Sequence, residues 1–413
     1  MQRVRMSLPH YRDSGWDPVV LAIDPDSHGH TRDENLLKTI PDDLPIRRVR
    51  ALSLAWTRWF GLGNLGWRSW WRLLIAGARI IRREKIDLVF FSNTQFVTFT
   101  LGRIWRRWLG VPYVIDLQDP WLTDYYSGSR RKERPGGWKY DLAHLQARIL
   151  EGWSLRRVSA LMSVSPNYIA DLRRRYPWFS QVPTQVIGFG ASENDFAVAR
   201  ELPSTTPPAP DLARIVFTGA AGPIMQPALR ILFDGLASLQ PRPGPDLLRL
   251  DFFGTSYSAS GGTTVLPLAR EAGVEPLVSE TPSRLGLLEA LRTQIDAQAL
   301  LLLGSMDPAY SASKLYPYFL SRRPVLAIVL KGSVLEQQLR ELAFATVVCF
   351  DEKGATAETR GQIQYFIQDA LAGFPSGSAP GRNDNLFRRT CLAPALTARQ
   401  CELFDTACQA HTH

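Results

Sequence analysis

The sequence predicts two α/β domains, each built on a doubly wound parallel sheet. Short apolar runs alternate with longer helical patterns from end to end, which is typical of parallel strands joined by crossover helices. A chain of 413 residues also exceeds one ordinary domain. The run at 201–210 holds four prolines and no periodicity, as linkers do. We therefore expect domains at 1–200 and 211–380, followed by a tail and closing helix at 381–413.

The predicted strands of the first half are 18–23, 87–91, 112–116, 158–164 and 184–187. Those of the second half are 214–218, 247–253, 299–303, 325–329 and 346–350, with helices at 226–239 and 396–407. The chain opens on a helical pattern at 3–13 that runs directly into the strand at 18–23. A doubly wound sheet normally begins with a central strand and a glycine-rich turn. Either the fold does without that strand, or the true start codon lies upstream.

Composition and residue spacing argue against a membrane-spanning, secreted or metal-binding protein. No apolar run reaches the length of a membrane-spanning helix, and the first residues do not read as a signal peptide, so we expect a cytoplasmic protein. Cys349, Cys391, Cys401 and Cys408 lack metal-ligand spacing, which predicts reduced thiols. The six histidines are scattered, and no metal site is expected.

Charge and tryptophan are distributed unevenly along the chain. Residues 1–190 hold 29 Lys and Arg against 17 Asp and Glu, whereas the remainder holds 19 against 22. All twelve tryptophans lie between Trp16 and Trp178. This half has either a basic solvated surface above a Trp-rich core, or a face for anionic lipid headgroups or a polyanionic acceptor. No nucleic-acid-binding module is recognisable, so nucleic acid is not an expected partner.

The strand at 112–116 ends in Asp116-Leu117-Gln118-Asp119-Pro120-Trp121. Ligands of open α/β sheets bind beyond the carboxyl ends of the strands. Asp116 and Asp119 are therefore candidates for orienting the hydroxyl groups of a ligand or transferring a proton. The alternative is that Asp119 caps a turn and Asp116 satisfies buried amides.

The segment 311–324 predicts a helix between two strands, with Ser311 or Ser313 as its N-cap and Lys314 in its first turn. The free amides and dipole of a helix start, together with a lysine, favour a diphosphate. The loops after two strands contain Gly219 and Gly254, and glycine allows the backbone to approach a ligand closely. The alternatives are a solvated lysine and two ordinary sharp turns.

Four stretches in this order resemble the bacterial glycosyltransferases of the retaining family 4, which have the GT-B fold. They are Gly15-Trp16-Asp17-Pro18-Val19-Val20-Leu21, Lys85-Ile86-Asp87-Leu88-Val89-Phe90-Phe91-Ser92, Asp116-Leu117-Gln118-Asp119-Pro120-Trp121, and 313–327 with Ser-Lys-Leu-Tyr-Pro-Tyr at its start. The resemblance implies two Rossmann-like domains facing across a cleft, and a metal-independent hexosyltransferase without a cofactor. The second domain would bind the nucleotide-sugar donor and the first a glycan or lipid-linked acceptor.

Carried onto this sequence, the resemblance assigns residues to three roles. Asp116, Gln118 and Asp119 are the candidate catalytic residues, and Ser92 and Trp121 the candidate acceptor contacts. The candidate donor contacts are Gly219, Ala220, Gly254, Ser313, Lys314, Leu315 and Tyr316. The sequence departs from the family at the glutamate pair, where Ala309 and Pro317 stand, and at Gln118, where many relatives carry His or Arg.

We therefore predict sugar transfer from a nucleotide sugar, in cell-surface polysaccharide synthesis and with contact to an anionic membrane. Two alternatives stay open, and the missing glutamates and the absent first strand favour the first of them. One is a non-catalytic relative that binds a nucleotide sugar or glycan. The other is a nucleotide-sugar 2-epimerase of the same fold.

Overall fold

The computed structural model describes residues 2–27, 33–57, 63–122, 138–204, 211–256, 261–352, 354–374 and 381–412. The chain forms two units: Met1–Phe189 with Ala393–His413, and Gly190–Leu392. The division therefore falls between Phe189 and Gly190, whereas the sequence placed it at 201–210. Residues 205–210 of that predicted linker lie outside the described residues. A proline-rich run marks a loss of periodicity, but a domain boundary depends on which core buries the neighbouring helices.

In the described part of the first unit, the strands are β1 Val20–Ile23, β2 Ile46–Val49, β3 Val89–Ser92, β4 Tyr113–Leu117, β5 Ala160–Ser163 and β6 Thr184–Val186. Its helices are α1 Gln2–Ser7, α2 Leu54–Thr57, α3 Leu65–Arg83, α4 Phe99–Leu109, α5 Trp138–Leu155 and α6 Pro166–Arg175. The helix α15, Ala393–Thr412, completes this unit from the other end of the chain. The five predicted strands are confirmed, whereas β2 was not predicted.

The described strands of the first unit form two separate sheets. Strands β3, β4, β5 and β6 pair in that order and in parallel, while β1 and β2 form a separate parallel pair. Among the described residues no strand precedes Val20, because the chain begins with α1.

In the described part of the second unit, the strands are β7 Ala213–Thr218, β8 Leu248–Phe253, β9 Val278–Thr281, β10 Ala299–Leu303, β11 Val325–Leu330 and β12 Thr346–Phe350. Its helices are α7 Glu193–Glu201, α8 Gln226–Ala237, α9 Leu266–Glu271, α10 Leu287–Asp296, α11 Leu315–Ser321, α12 Val334–Leu342, α13 Ala357–Leu371 and α14 Asp384–Thr390. The order β12-β11-β10-β7-β8-β9 is that of a doubly wound nucleotide-binding sheet, so the predicted fold class is confirmed. Only β9 was not predicted.

Both sheets bury alternate residues on opposite faces, as strands covered by helices on both sides must. In β7, Phe217 belongs to one apolar core and Val216 to the other. In β4, Ile115 and Val114 are divided in the same way. Phe404 of α15 packs in the core that contains Val114, which ties the end of the chain to the first unit.

The tail predicted at 381–413 is therefore divided between the units. Its helix α14 lies in the second unit, where Phe387 stacks on Phe319 with ring centroids 4.0 Å apart. Its helix α15 lies in the first unit. The helix α7, which the sequence placed in the first domain, buries Phe196 and Ala199 as part of the second unit.

Candidate functional site

The second unit has a ligand crevice in the position that its topology dictates. The chain leaves β7 toward β8 on one side and returns at β10 on the other, so the crevice lies beyond the carboxyl ends of β7 and β10. Gly219 follows β7 directly, and Lys314 lies between β10 and α11. The two residues meet there: a Cβ atom on Gly219 would be 3.1 Å from the Lys314 Nζ atom.

Lys314 has an unusual environment for a lysine. The residue is half-buried, but its Nζ atom is fully buried and has no hydrogen-bond partner among the described residues. The ammonium lies 3.7 Å from the centroid of the Phe217 ring, at the distance of a cation–π contact. Burial, with a smaller contribution from Arg284, lowers the pKa of Lys314 to about 7. An unpaired buried cation is costly, and an anionic ligand would compensate it.

Two glycines keep this crevice open. Gly219 has φ +117° and Gly254 has φ +72°, both in the region that disfavours residues with a side chain. Their amides extend the sheet, because Gly219 N donates to Phe253 O and Gly254 N to Thr281 O, each at 2.8 Å. The glycines therefore provide space beside Lys314 and Arg284, and their N–H groups are already used.

Arg284 is the residue of this site that the sequence analysis missed. It is exposed, follows β9, and its Cδ atom lies 3.4 Å from where a Cβ atom on Gly254 would be. The sequence signal was weak because β9 reads Val-Ser-Glu-Thr, half polar, and was not recognised as a strand. Once β9 is placed at the edge of the sheet next to β8, its carboxyl end falls beside Gly254.

Hydrogen bonds fix the frame around the crevice. Tyr318 of α11 accepts from the amide of Thr218 at 3.2 Å, and Gln294 Nε2 donates to Thr218 Oγ1 at 2.8 Å. These bonds join the end of β7 to α10 and α11. On the other side, Glu280 of β9 accepts from the Thr255 hydroxyl at 2.6 Å and from the amide that begins α9, at Leu266, at 2.9 Å. The loop after β8 is thus anchored to β9.

Three of the predicted donor contacts occupy other environments. The helix α11 begins at Leu315, one residue after Lys314, and neither Ser311 nor Ser313 caps it, so that prediction was wrong. The Leu315 amide donates to Ala312 O at 3.0 Å, and its side chain is buried in the core with that of Tyr316. These side chains stabilise the unit, because apolar residues at the start of a short helix pack inward. Ser313 is exposed, and Ala220 is half-buried beside Gly219.

A buried polar cluster occupies the carboxyl ends of β3 and β4 in the first unit. Ser92 and Asp116 are register partners, and the Ser92 hydroxyl donates to Asp116 Oδ2 at 2.7 Å. Gln118 Nε2 donates to the same oxygen at 2.9 Å and to Ser92 Oγ at 2.8 Å. Arg3 of α1 supplies the counter-ion, with Nε 3.0 Å from Asp116 Oδ2, and donates through Nη2 to Ile187 O at 2.7 Å.

The three predicted catalytic residues differ in their exposure to solvent. Asp116 has no exposed surface, so it does not present its carboxylate to a substrate in this arrangement. Gln118 is half-buried and Asp119 is exposed. Asp119 is also near Tyr168, since burial and then the Asp119 charge raise the pKa of that phenol. Burial of Asp116 follows from Arg3, a distant residue whose approach no local pattern predicted.

The predicted acceptor contacts also lie in packed surroundings. Trp121 stacks on Phe96 with ring centroids 5.7 Å apart and meets Phe99 edge to face at 5.8 Å. It is half-buried and retains some exposed surface. Ser92 is buried in the polar cluster with Asp116.

Comparison with known proteins agrees with this architecture. Residues 2–190 match the family model described as "Glycosyl transferase 4-like domain". No protein of curated function matches the sequence significantly. Sucrose-phosphate synthase from Thermosynechococcus elongatus is similar in structure, with TM-score 0.56, 14% identity, and 97% of this chain and 92% of that chain covered. HepE from Anabaena, solved with UDP-glucose, gives TM-score 0.54 at 14% identity, with 94% and 99% covered.

A third solved structure, "Trehalose-6-phosphate from E. coli bound with UDP-2-fluoro glucose", gives TM-score 0.50 at 11% identity, with 94% of this chain and 99% of that chain covered. At these identities the structures show the fold, which is that of GT-B glycosyltransferases. Residues 2–190 are therefore similar to the glycosyl transferase 4-like domain family. The predicted resemblance to family-4-like glycosyltransferases is confirmed.

Proposed function

We propose that this protein transfers a sugar from a nucleotide-sugar donor to a glycan or lipid-linked acceptor, and that Lys314 holds the donor's diphosphate. The family of residues 2–190 supports a glycosyltransferase. The observation that carries the proposal is the buried Lys314 ammonium, which has no hydrogen-bond partner among the described residues and faces the space kept open by Gly219. A fixed cation in a pocket of low dielectric interacts strongly with an arriving anion.

In the proposed mechanism, the second unit stabilises the leaving nucleoside diphosphate. The Lys314 ammonium would contact one phosphate as a point charge. The Arg284 guanidinium would present its planar group of donors to the other, a geometry that suits phosphate oxygens. Negative charge grows on the diphosphate as the sugar leaves, so these groups would stabilise the transition state more than the bound donor. This arrangement supports a transferase that needs no metal. Retention of configuration is proposed from the family resemblance alone.

We assign the first unit to the acceptor, with Gln118 and Asp119 as the groups that meet the substrates. Asp116 and Ser92 would act as positioning residues, because the two bonds from Gln118 Nε2 orient its amide group. The exposed Asp119 carboxylate remains the candidate for a hydroxyl contact, with Trp121 as an apolar wall. The acceptor would belong to cell-surface polysaccharide synthesis at the cytoplasmic face of a membrane.

The test is calorimetric titration of the whole protein with UDP-, GDP- and ADP-sugars. UDP-glucose comes first, because HepE was solved with it. We expect one nucleotide class to bind, and Lys314→Met to lose at least tenfold in affinity, as expected when a charged hydrogen bond worth more than about 1.4 kcal/mol is lost. Lys331→Met, which removes an exposed lysine of the same unit, should bind as the wild type does.

Turnover then separates the three classes of function. Release of nucleoside diphosphate that depends on an added lipid-linked acceptor fraction supports transfer. Conversion of the donor sugar without an acceptor would establish the 2-epimerase instead, and tight binding without turnover the non-catalytic relative. If no nucleotide sugar binds to folded wild-type protein, the proposed role of Lys314 is wrong.

A further inference from the structure

Some tryptophans and arginines of the first unit are buried and others are exposed. Arg68 is buried and donates to Leu52 O at 2.8 Å and Ser27 O at 3.2 Å, so it is a structural residue. Trp105 packs on Gly77 and donates to Leu74 O at 3.2 Å.

The exposed side of α3 is both apolar and basic. Trp71 is 63% exposed and Ile75 is 39% exposed. Arg72, Arg79 and Arg82 are exposed on the same helix. At 3.6 residues per turn these five positions fall within an arc roughly 100° wide, so they form one face of the helix. We call these five residues the α3 face.

A second exposed apolar segment adjoins the α3 face. Leu52 N donates to Arg68 O at 3.0 Å, and Arg72 Nη1 donates to Arg50 O at 3.2 Å, so the segment before α2 lies against the start of α3. This segment carries Leu52, 45% exposed, and leads to Trp56, 78% exposed. Exposed tryptophans beside exposed aliphatic residues are unfavourable in water and typical of interaction surfaces.

The positive charge of this surface favours an anionic partner. The helix α3 has five arginines and no acidic residue, and its neighbour α4 has three arginines and none. Of the nearby acids, Glu84 lies 3.5 Å from Arg47, and Asp24 lies 3.9 Å from Arg50. Tryptophan and arginine together suit the boundary between headgroups and acyl chains, where indole is buried and guanidinium contacts phosphate.

We propose that the α3 face, with Leu52 and Trp56, docks on a bilayer that contains anionic phospholipids. The inference rests on the proposed function in one respect, because a lipid-linked acceptor would have to be reached at that surface. The binding itself involves no nucleotide sugar. Vesicle binding and nucleotide-sugar binding are therefore measured separately, and failure of one does not imply failure of the other.

The experiment is co-sedimentation of the whole protein with phosphatidylcholine vesicles, with and without phosphatidylglycerol. We expect binding to the anionic vesicles, weakened by salt. Arg79→Glu with Arg82→Glu should reduce the partition coefficient at least thirtyfold, given about fivefold for each basic residue near an anionic surface and added repulsion from the new acids. Trp71→Ser with Ile75→Ser should reduce it even at low salt, because insertion of apolar groups is lost.

The matched control lies in the second unit, where Tyr365 is 64% exposed and Arg388 and Arg389 are exposed. The variant Tyr365→Ser, Arg388→Glu, Arg389→Glu removes the same kinds of group and should bind vesicles as the wild type does. Thermal unfolding and calorimetry with the nucleotide sugar check that all variants are folded. The proposal would be overturned if the wild type and the α3 variants bound the anionic vesicles equally. It would also be overturned if the protein bound RNA and vesicles did not displace that RNA.

Discussion

Replacing Lys314 with methionine should stabilise the protein while it weakens donor binding. Methionine has nearly the same length and fills the same space, but it removes a buried charge. The folded-state pKa of Lys314 is about 7, compared with 10.5 for an ordinary lysine. Because the folded pKa is the lower one, the charged lysine destabilises the fold. This cost is fully present below pH 7 and disappears as the pH rises through 10.5.

The magnitude follows from that shift. The lowered pKa of Lys314 corresponds to about 5 kcal/mol at pH 6, and about 1 kcal/mol of it remains at pH 9.5. The lost contact with Phe217 offsets about 1 kcal/mol of the gain. We expect Lys314→Met to raise the free energy of unfolding of the second unit by about 4 kcal/mol at pH 6. At pH 9.5 the amine is neutral in the folded protein and has no cation–π contact to lose, so the gain there should be about 1 kcal/mol.

Thermal unfolding of wild type, Lys314→Met and Lys331→Met at both pH values is the assay. A gain of about 4 kcal/mol corresponds to a midpoint shift on the order of 10 °C for a unit of this size. Lys331 is exposed, so its variant should unfold within about 2 °C of the wild type at both pH values. A Lys314→Met protein that is no more stable at pH 6, or equally stabilised at pH 6 and 9.5, would refute the reasoning. The ammonium would then be solvated or paired.

Three further predictions concern the two sites. The affinity for a nucleotide sugar should be constant below pH 7 and fall up to about tenfold per pH unit above it, because neutral Lys314 must then take up a proton before it binds the diphosphate. The diphosphate of a nucleotide sugar does not titrate near neutrality, so calorimetry across pH 6–9 measures the effect of Lys314. Gly219→Ala should cost about 1–3 kcal/mol of stability and weaken donor binding, because φ is +117° and the new Cβ atom would crowd Lys314. Gly222→Ala should do neither, because Gly222 has φ −76° and a Cβ atom there would have no other atom within 4 Å. Arg3→Met should destabilise the protein by about 3–5 kcal/mol in urea unfolding, because Asp116 stays buried without its counter-ion. Adding Asp116→Asn should restore part of that loss. If the effects of the two substitutions are additive, the pairing of Arg3 with Asp116 is contradicted.

The sequence determined the elements whose local pattern is strong. The strand at 299–303 is a run of Ala and Leu with every residue buried, and it was predicted with its observed bounds. The strands that were missed are β2, Ile-Arg-Arg-Val, and β9, Val-Ser-Glu-Thr. Both are edge strands that their helices cover only partly, so their residues lack a continuous apolar run. The resemblance supplied the fold and placed Lys314 and Gly219 in one site.

Tertiary structure alone decided the chemical state of the candidate residues. Lys314 was expected to be a helix-start lysine, and it is buried because the chain brings Phe217 beneath its ammonium. Asp116 was a candidate for contact with the substrate, and it is covered because Arg3 and Ser92 approach it from other elements. Local periodicity records which residues face a core. Whether a charge is hydrated, paired or isolated depends on groups that are distant in sequence, and only the fold brings those groups together.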